Sequence, residues 1–499
     1  MARYPGIPLA LLTLAIHLRA NGNYGYFRDE LYFIVCGRNP SWGYVDQPPL
    51  VPLIAAAMDY LFAPSLVMLR LVPALAHAAT VALAAATARL LGGRAWARAI
   101  AALCVMSAGV FLAEGTILST DALQPLSWLL ISYALIHLVR GGDQRWWFVI
   151  GVTAGVALLS KYMLAFWLVA LAIGVLATPA RRLLASTTPF VAAAVALAIV
   201  LPNVIWQAAR GWPFMDIAHV ATASKNIAYS PIDFLGAEIW NLGPANAPIW
   251  IAGLVAFVSW RRFYDLRLFA IAFVLLMADM IWVHGKPYYP AGAYPLLFAG
   301  GAVAIEAWTT WWLARTAITA VVVAVGVIGA PFALPILPIE TFVAYQSRLG
   351  LTPKSLENDP IGQLPQLFAD MFGWPELAAL VGLAYQSLPP EDQARAVFFA
   401  NNYGEAGAID VLGAPWHLPP AISAHNSYFL WGPRGHDGSV VFRLGGDRTQ
   451  LLEIYRSVEP AGVFNDPRAM PYETGRTLWI CRDRKRPLAA DWAELKNYR

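Results

Sequence analysis

Apolar and polar positions in the first two thirds of this chain do not alternate; they come in blocks. Runs of roughly 16–24 apolar residues, broken by short polar stretches, fill residues 1–336, and about 20 such residues in a helix cross a bilayer. Lipid offers the backbone no hydrogen-bond partners, so such runs must be helical. The pattern predicts eleven spans, near 5–20, 66–90, 96–113, 122–139, 145–160, 162–179, 183–202, 245–260, 267–284, 289–311 and 316–336. Only Ser160 and Lys161 separate the fifth from the sixth, so the count is soft there. In the first long connection, "DELYFIVCGR" and "PLVPLIAAAMDYLF" are apolar enough to lie in the membrane interface as short amphipathic helices.

From about residue 337 the blocks stop. Charged residues, Gly, Pro and Asn become common, and "AVFFA" and "SVVFRLG" read as strands. This tail of about 160 residues is long enough for one soluble α/β domain. The expected fold is a polytopic α-helical membrane domain over 1–336, with interfacial helices in its first outer loop, followed by an α/β domain over 337–499.

Composition agrees. Of 499 residues, 58% are hydrophobic and 13% charged, against about 45–50% and about 25% for a soluble domain. That excludes a large soluble core. The net charge of +4 is modest and points to no nucleic-acid partner. Cys36, Cys104 and Cys481 show neither CxxC spacing nor a disulfide framework. The first apolar run lacks an A-x-A site and reads as a retained anchor.

Charge placement adds an orientation. With Arg3 in the cytoplasm, alternate connections carry Arg89, Arg94 and Arg98; Arg140 and Arg145; Arg181 and Arg182; Arg261, Arg262 and Arg267; and Arg315. Short basic loops of this kind face the cytoplasm. The other connections, 21–65, 114–121, 160–161, 203–244 and 285–288, hold most of the acids, and the C-terminal domain falls on their side. The expected location is a bacterial inner membrane, with the N-terminus cytoplasmic and the C-terminal domain periplasmic.

The candidate chemistry lies on that outer side. "YFRDELYF" places Asp29 and Glu30 together beside the membrane, where carboxylates are costly unless paired or used. Asp29 could equally cap a helix. "GYVDQPP" presents Tyr44 and Asp46, with turn chemistry as the plain explanation for the acid. Glu114 closes the third span, and Asp121 opens the fourth, where a helix cap would also suit it. Lys161, isolated in "LLSKYMLAFW", either snorkels to the interface or pairs with an anion. "HGKPYYPAGAYP" offers His284, Lys286, Tyr288 and Tyr289, an aromatic belt or a phosphate site. A transporter would place ionisable groups within its spans, and these spans are largely clean. Carboxylates and cations gathered on one face suit glycosyl transfer at the membrane surface. The carboxylates would act as base or stabilise an oxocarbenium-like state, and the cations would hold a phosphate leaving group. A transporter or flippase of lipid-linked glycans, with merely structural acidic loops, is the alternative.

An acidic pair after the first span, "YVDQPPL", "TD" opening a later span, "SKY" and "KPYYPAGAYP" together resemble the family-39 glycosyltransferases of GT-C fold, which include protein O-mannosyltransferases and lipid A aminoarabinose transferases. The likeness covers residues 20–310. It implies a polyprenyl-phosphate-linked sugar donor, transfer to a hydroxyl acceptor on the extracytoplasmic side, and inversion at the anomeric carbon. The acceptor class stays open among protein, glycolipid and polysaccharide. On this likeness Asp29 matches the catalytic aspartate, Glu30 completes the acidic pair, and Asp121 matches the acid that begins a middle span. Tyr44 and Asp46 line the cavity, and Lys161 and Lys286, with His284 nearby, meet the donor phosphate. Many relatives carry Lys after the loop acid; here it is Gln47, which removes a cation. Nothing resembles a dedicated metal cluster. A divalent ion held by Asp29, Asp46 or Glu114 stays open, but no spacing calls for it. In the tail, Asn401, Asn402, Glu405, His425 and Asn426 could line a sugar or acceptor groove, or could simply be polar turns.

Overall fold

The computed structural model describes residues 5–62, 65–353 and 357–498. Each of the eleven apolar runs carries a helix. In chain order these are α1 (Gly6–Ala20), then α2 (Arg28–Arg38) and α3 (Leu50–Phe62) of the first connection, α4 (Leu71–Leu90), α5 (Ala95–Ser107), α6 (Gln124–Val139), α7 (Arg145–Leu158), α8 (Leu164–Leu176), α9 (Thr188–Ala208), α10 (Ala247–Ser259), α11 (Arg267–Trp282), α12 (Tyr294–Trp308) and α13 (Trp312–Gly329). The doubtful pair is two helices, α7 and α8, and Ser160 and Lys161 sit in the break between them. Among the described residues, four helices are long and apolar enough to cross a bilayer alone: 66–90, 188–208, 312–332 and 366–386. The last is largely buried in protein, so its apolar character serves a core.

Small residues let the helices approach closely, the usual substitute for hydrophobic drive inside lipid. A Cβ on Gly253 of α10 would strike the Leu297 carbonyl, and one on Gly301 of α12 would strike that of Ile249.

The tail forms a five-stranded mixed sheet in the order β2-β1-β3-β5-β4. Its strands are β1 (Ala396–Ala400), β2 (Ile422–Ser423), β3 (Val440–Leu444), β4 (Tyr455–Phe464) and β5 (Arg476–Arg484). β1 pairs parallel with β2 and β3. β5 runs antiparallel to both β3 and β4. "AVFFA" is β1, buried at all five positions, as expected for a strand covered on both faces. Phe398, Phe442 and Ile480 face one side, toward helices α14 (Trp374–Gln386) and α15 (Tyr403–Leu412). Val397, Val441 and Cys481 face the other, against Leu451, Leu488 and Trp492.

The first connection departs from expectation. α3 is an amphipathic surface helix that exposes Leu53, Tyr60, Leu61 and Phe62. α2 is not: Glu30 through Gly37 are all buried. Its apolar residues share one core with α14, α15 and the sheet. What the periodicity marks as a membrane-facing stripe is covered by protein from the far end of the chain.

One ion pair anchors that arrangement. Glu30 and Arg70 meet at 2.8 Å with both side chains fully buried. Glu30 also accepts hydrogen bonds from the backbone N–H of Phe27 (2.8 Å) and of Leu118 (3.0 Å). Arg70 donates to the carbonyls of Asn21 (3.2 Å) and Gly25 (2.8 Å). The pair thus ties together the end of α1, the start of α2, the entry to α4 and the 115–118 turn. Removing one member leaves a buried uncompensated charge, at a cost of about 3–5 kcal/mol. Glu30→Gln and Arg70→Met should each lower the thermal unfolding midpoint of detergent-purified protein strongly. The double variant should lose less than the two singles summed, and simple additivity would show that the pair is not coupled.

Candidate active site

The first turn of α2 sends its two acids in different directions. Glu30 occupies the third helical position and reaches back to the Phe27 N–H, a capping role. Glu30, read from the sequence as catalytic, is therefore sealed against Arg70 with no surface for a substrate. Asp29 turns outward. Its side chain keeps 33% of its surface exposed, and its Oδ1 accepts a 2.7 Å hydrogen bond from the Tyr403 hydroxyl. Burial pushes the Tyr403 phenol well above its ordinary range, so it stays protonated and donates. Arg28 lies 3.8 Å from Asp29, stands over the Tyr403 ring and donates to the Tyr472 hydroxyl at 2.7 Å.

Asp46 sits behind this group. It accepts hydrogen bonds from the Tyr32 hydroxyl at 2.9 Å and from Asn426 Nδ2 at 3.1 Å. Tyr32 stacks on Tyr403, so one aromatic pair serves both acids. Burial raises the Asp46 carboxyl to about 6, against the pull of the Tyr32 hydrogen bond. The neighbouring loop residues do not face the site. The Tyr44 hydroxyl donates to the Cys36 carbonyl at 2.7 Å inside the α2 packing. Gln47 is buried with its amide on the Cys36 sulfur. Tyr44 was expected to line the cavity and instead braces the loop that presents Asp46.

Cations close the other side. Lys161 donates to Asp121 at 2.6 and 2.8 Å. Its ammonium lies 4.4 Å from the Tyr289 ring centre and 5.7 Å from that of Tyr288. Asp121 thus pairs with Lys161 rather than capping its helix. Glu114 is buried, with Oε2 lacking a hydrogen-bond partner among the described residues. It lines a small cavity with His77, Thr80 and Phe111. Lys286 donates to Glu357 at 2.5 Å, and Lys225 lies 3.4 Å from the same oxygen. Burial pushes the Glu357 carboxyl up, yet Lys286 and Lys225 together pull it down to about 2. His284 stands apart: it is exposed, and its backbone carbonyl accepts from Asn226.

The two sides are in electrostatic reach of each other. Burial first, then Tyr289, Asp121, Glu357 and Asp29, push the Tyr288 phenol up. Asp29 likewise acts on Lys225 and Lys286. These effects group Asp29, Asp121, Lys161, Lys286, Tyr288 and Tyr289 as one candidate site. Lys225, Glu357, Arg28 and Tyr403 join them, although the motifs did not single them out. Of these, a lysine inside an acidic loop and an acid inside "SLENDP" were visible signals; the pairing was not. Asn426 reaches the site through Asp46, whereas Glu405 is turned inward onto Asn401. Among the described residues no three His, Cys, Asp or Glu side chains come together as a metal site.

Residues 46–206 match the family model described as dolichyl-phosphate-mannose-protein mannosyltransferase. The lipid A galacturonosyltransferase RgtD of Rhizobium johnstonii is 27% identical over 224 residues, 44% of this chain and 47% of that protein. The chain thus matches about half the length of that curated relative. ArnT from Cupriavidus metallidurans bound to undecaprenyl phosphate superimposes with a TM-score of 0.63 at 15% identity, over 95% of this chain and 97% of that one. Its apo form gives 0.61 over the same shares. At this identity the likeness is one of fold. The chain has the GT-C fold, and the resemblance to the family-39 glycosyltransferases carried by its loop motifs holds.

Proposed function

We propose that this protein is an integral-membrane inverting glycosyltransferase. It moves a sugar from a polyprenyl-phosphate donor to a hydroxyl acceptor on the extracytoplasmic face of a bacterial inner membrane. The proposal includes the eleven-span topology, a cytoplasmic N-terminus and a periplasmic tail. The observation that carries it is a partly exposed Asp29, oriented by Tyr403 and acting electrostatically on Lys225 and Lys286 from two other connections. A family model for a lipid-phosphate-dependent mannosyltransferase and a galacturonosyltransferase relative support the reaction class.

In this reading Asp29 takes the proton of the acceptor hydroxyl. The hydroxyl oxygen bonds to the anomeric carbon as the bond from that carbon to the phosphate oxygen breaks. The electron pair and the phosphate stay with the lipid. Asp46 supports the positive charge that develops on the sugar. Lys161 and Lys286 meet the negative charge on the leaving phosphate, where fixed donors are most effective. Tyr288 and Tyr289 hold Lys161 and offer faces for the sugar. Asp121 keeps the Lys161 ammonium aimed, while Glu114, His284 and Tyr44 bear on the substrate only through what surrounds them.

Asp29→Asn should fold normally and lose about 10²–10⁴-fold in turnover, the range for a general base. Transfer of label from a panel of radiolabelled polyprenyl-phosphate sugars into native membranes is the measurement. A folded variant that transfers as fast as the parent would remove Asp29 as the base, and a folded parent that transfers from no donor would favour a flippase. Lys161→Met should lower kcat/KM about 10–100-fold through loss of a charge-assisted contact worth about 1.5–3 kcal/mol, read in the same assay against donor concentration.

A further inference from the structure

Two lysines from separate connections converge on one carboxylate. Glu357 is buried, and Lys225 and Lys286 keep only 24% and 13% of their side-chain surface. The residue after Glu357 is tied down without this carboxylate. The Asn358 N–H donates to the Lys225 carbonyl at 3.1 Å, and its side-chain amide donates to the carbonyls of Ser224 and Asn226, each at 3.2 Å. The main chains of 224–226 and 358 are therefore joined independently of the charges. What the carboxylate supplies is a counter-anion. Two ammonium groups this close and this sheltered repel unless something negative sits between them. A carboxylate oxygen that meets two cations supplies the same single negative charge that a phosphodiester would bring.

We propose that Lys225 and Lys286 form the seat for the phosphate of a lipid-linked donor, and that the Glu357 side chain is its resident placeholder, displaced when that phosphate arrives. This rests on the donor reading above. The exchange conserves charge, because the incoming phosphodiester carries one negative charge, as Glu357 does. Only a side-chain rotation is required, since Asn358 holds the main chain. After transfer the phosphate is a monoester with up to two negative charges and grips the lysines harder. A carboxylate tethered alongside competes for them and helps clear the seat.

The test is binding of polyprenyl phosphate in detergent micelles, with inorganic phosphate in parallel, to the full-length parent, Glu357→Gln and Lys225→Gln. Steady-state transfer is run on each. If the placeholder fills the seat in about nine molecules of ten, Glu357→Gln tightens polyprenyl phosphate binding about tenfold. It also lowers the KM for donor more than it changes kcat. Lys225→Gln weakens binding by a similar factor. Inorganic phosphate should follow the same order more weakly. A folded Glu357→Gln that binds polyprenyl phosphate no better than the parent makes the carboxylate a structural tie and ends the proposal. Should that variant not fold, unchanged binding by Lys225→Gln overturns the seat. Tighter binding of inorganic phosphate alone would overturn the lipid assignment. A parent that binds no polyprenyl phosphate would sink the donor reading itself, separately from the placeholder.

Discussion

The buried Glu30–Arg70 pair is the constraint from which the first connection of this molecule is built. Two charges out of water are expensive, and they are tolerated where the geometry is good and the remaining donors and acceptors are used. Here backbone N–H groups of two segments and carbonyls of the first loop complete the pair. The result is a rigid first turn of α2. Successive residues on a helix point about 100° apart. Locking Glu30 inward therefore commits Asp29 to look outward, at Tyr403 and Arg28. The adjacent acids are one device with two functions, one holding the helix and the other projecting from it.

Much of the helical plan was legible because lipid imposes a simple rule, and blocks of apolar residues obey it. The strands of "AVFFA" and "SVVFRLG" were legible too, while β4 and β5, with their mixed and partly exposed faces, were not. In the site, the motifs located Asp29, Asp46, Asp121, Lys161 and Lys286, but not what each one touches. Which of two neighbouring acids turns inward depends on Arg70, forty positions away. The burial of α2 depends on α15, which local periodicity cannot anticipate, so a core helix read as an interfacial one. Lys225 and Glu357 are each visible in the sequence, but nothing in it pairs them. Their meaning arises only when 224–226 and 357–359 lie side by side.

The expected boundary near residue 337 is accordingly a change of composition more than a change of function. The core that seats α2 draws on both sides of it. Tyr403 and Asn426 from the tail hold Asp29 and Asp46 from the first loop. The first part of the chain supplies Lys161, Lys225 and Lys286, and the tail orients Asp29 and Asp46.

The Tyr403–Asp29 bond also has a meaning in time. The two residues are 374 positions apart. At about 5–20 residues per second of synthesis, Asp29 waits about 20–75 seconds before the residue that orients it has even been made. During that interval the first connection exists without the hydroxyl that aims its carboxylate. The partner that orients Asp29 is thus among the last parts of the chain to be made, and the arrangement around this carboxylate is completed late.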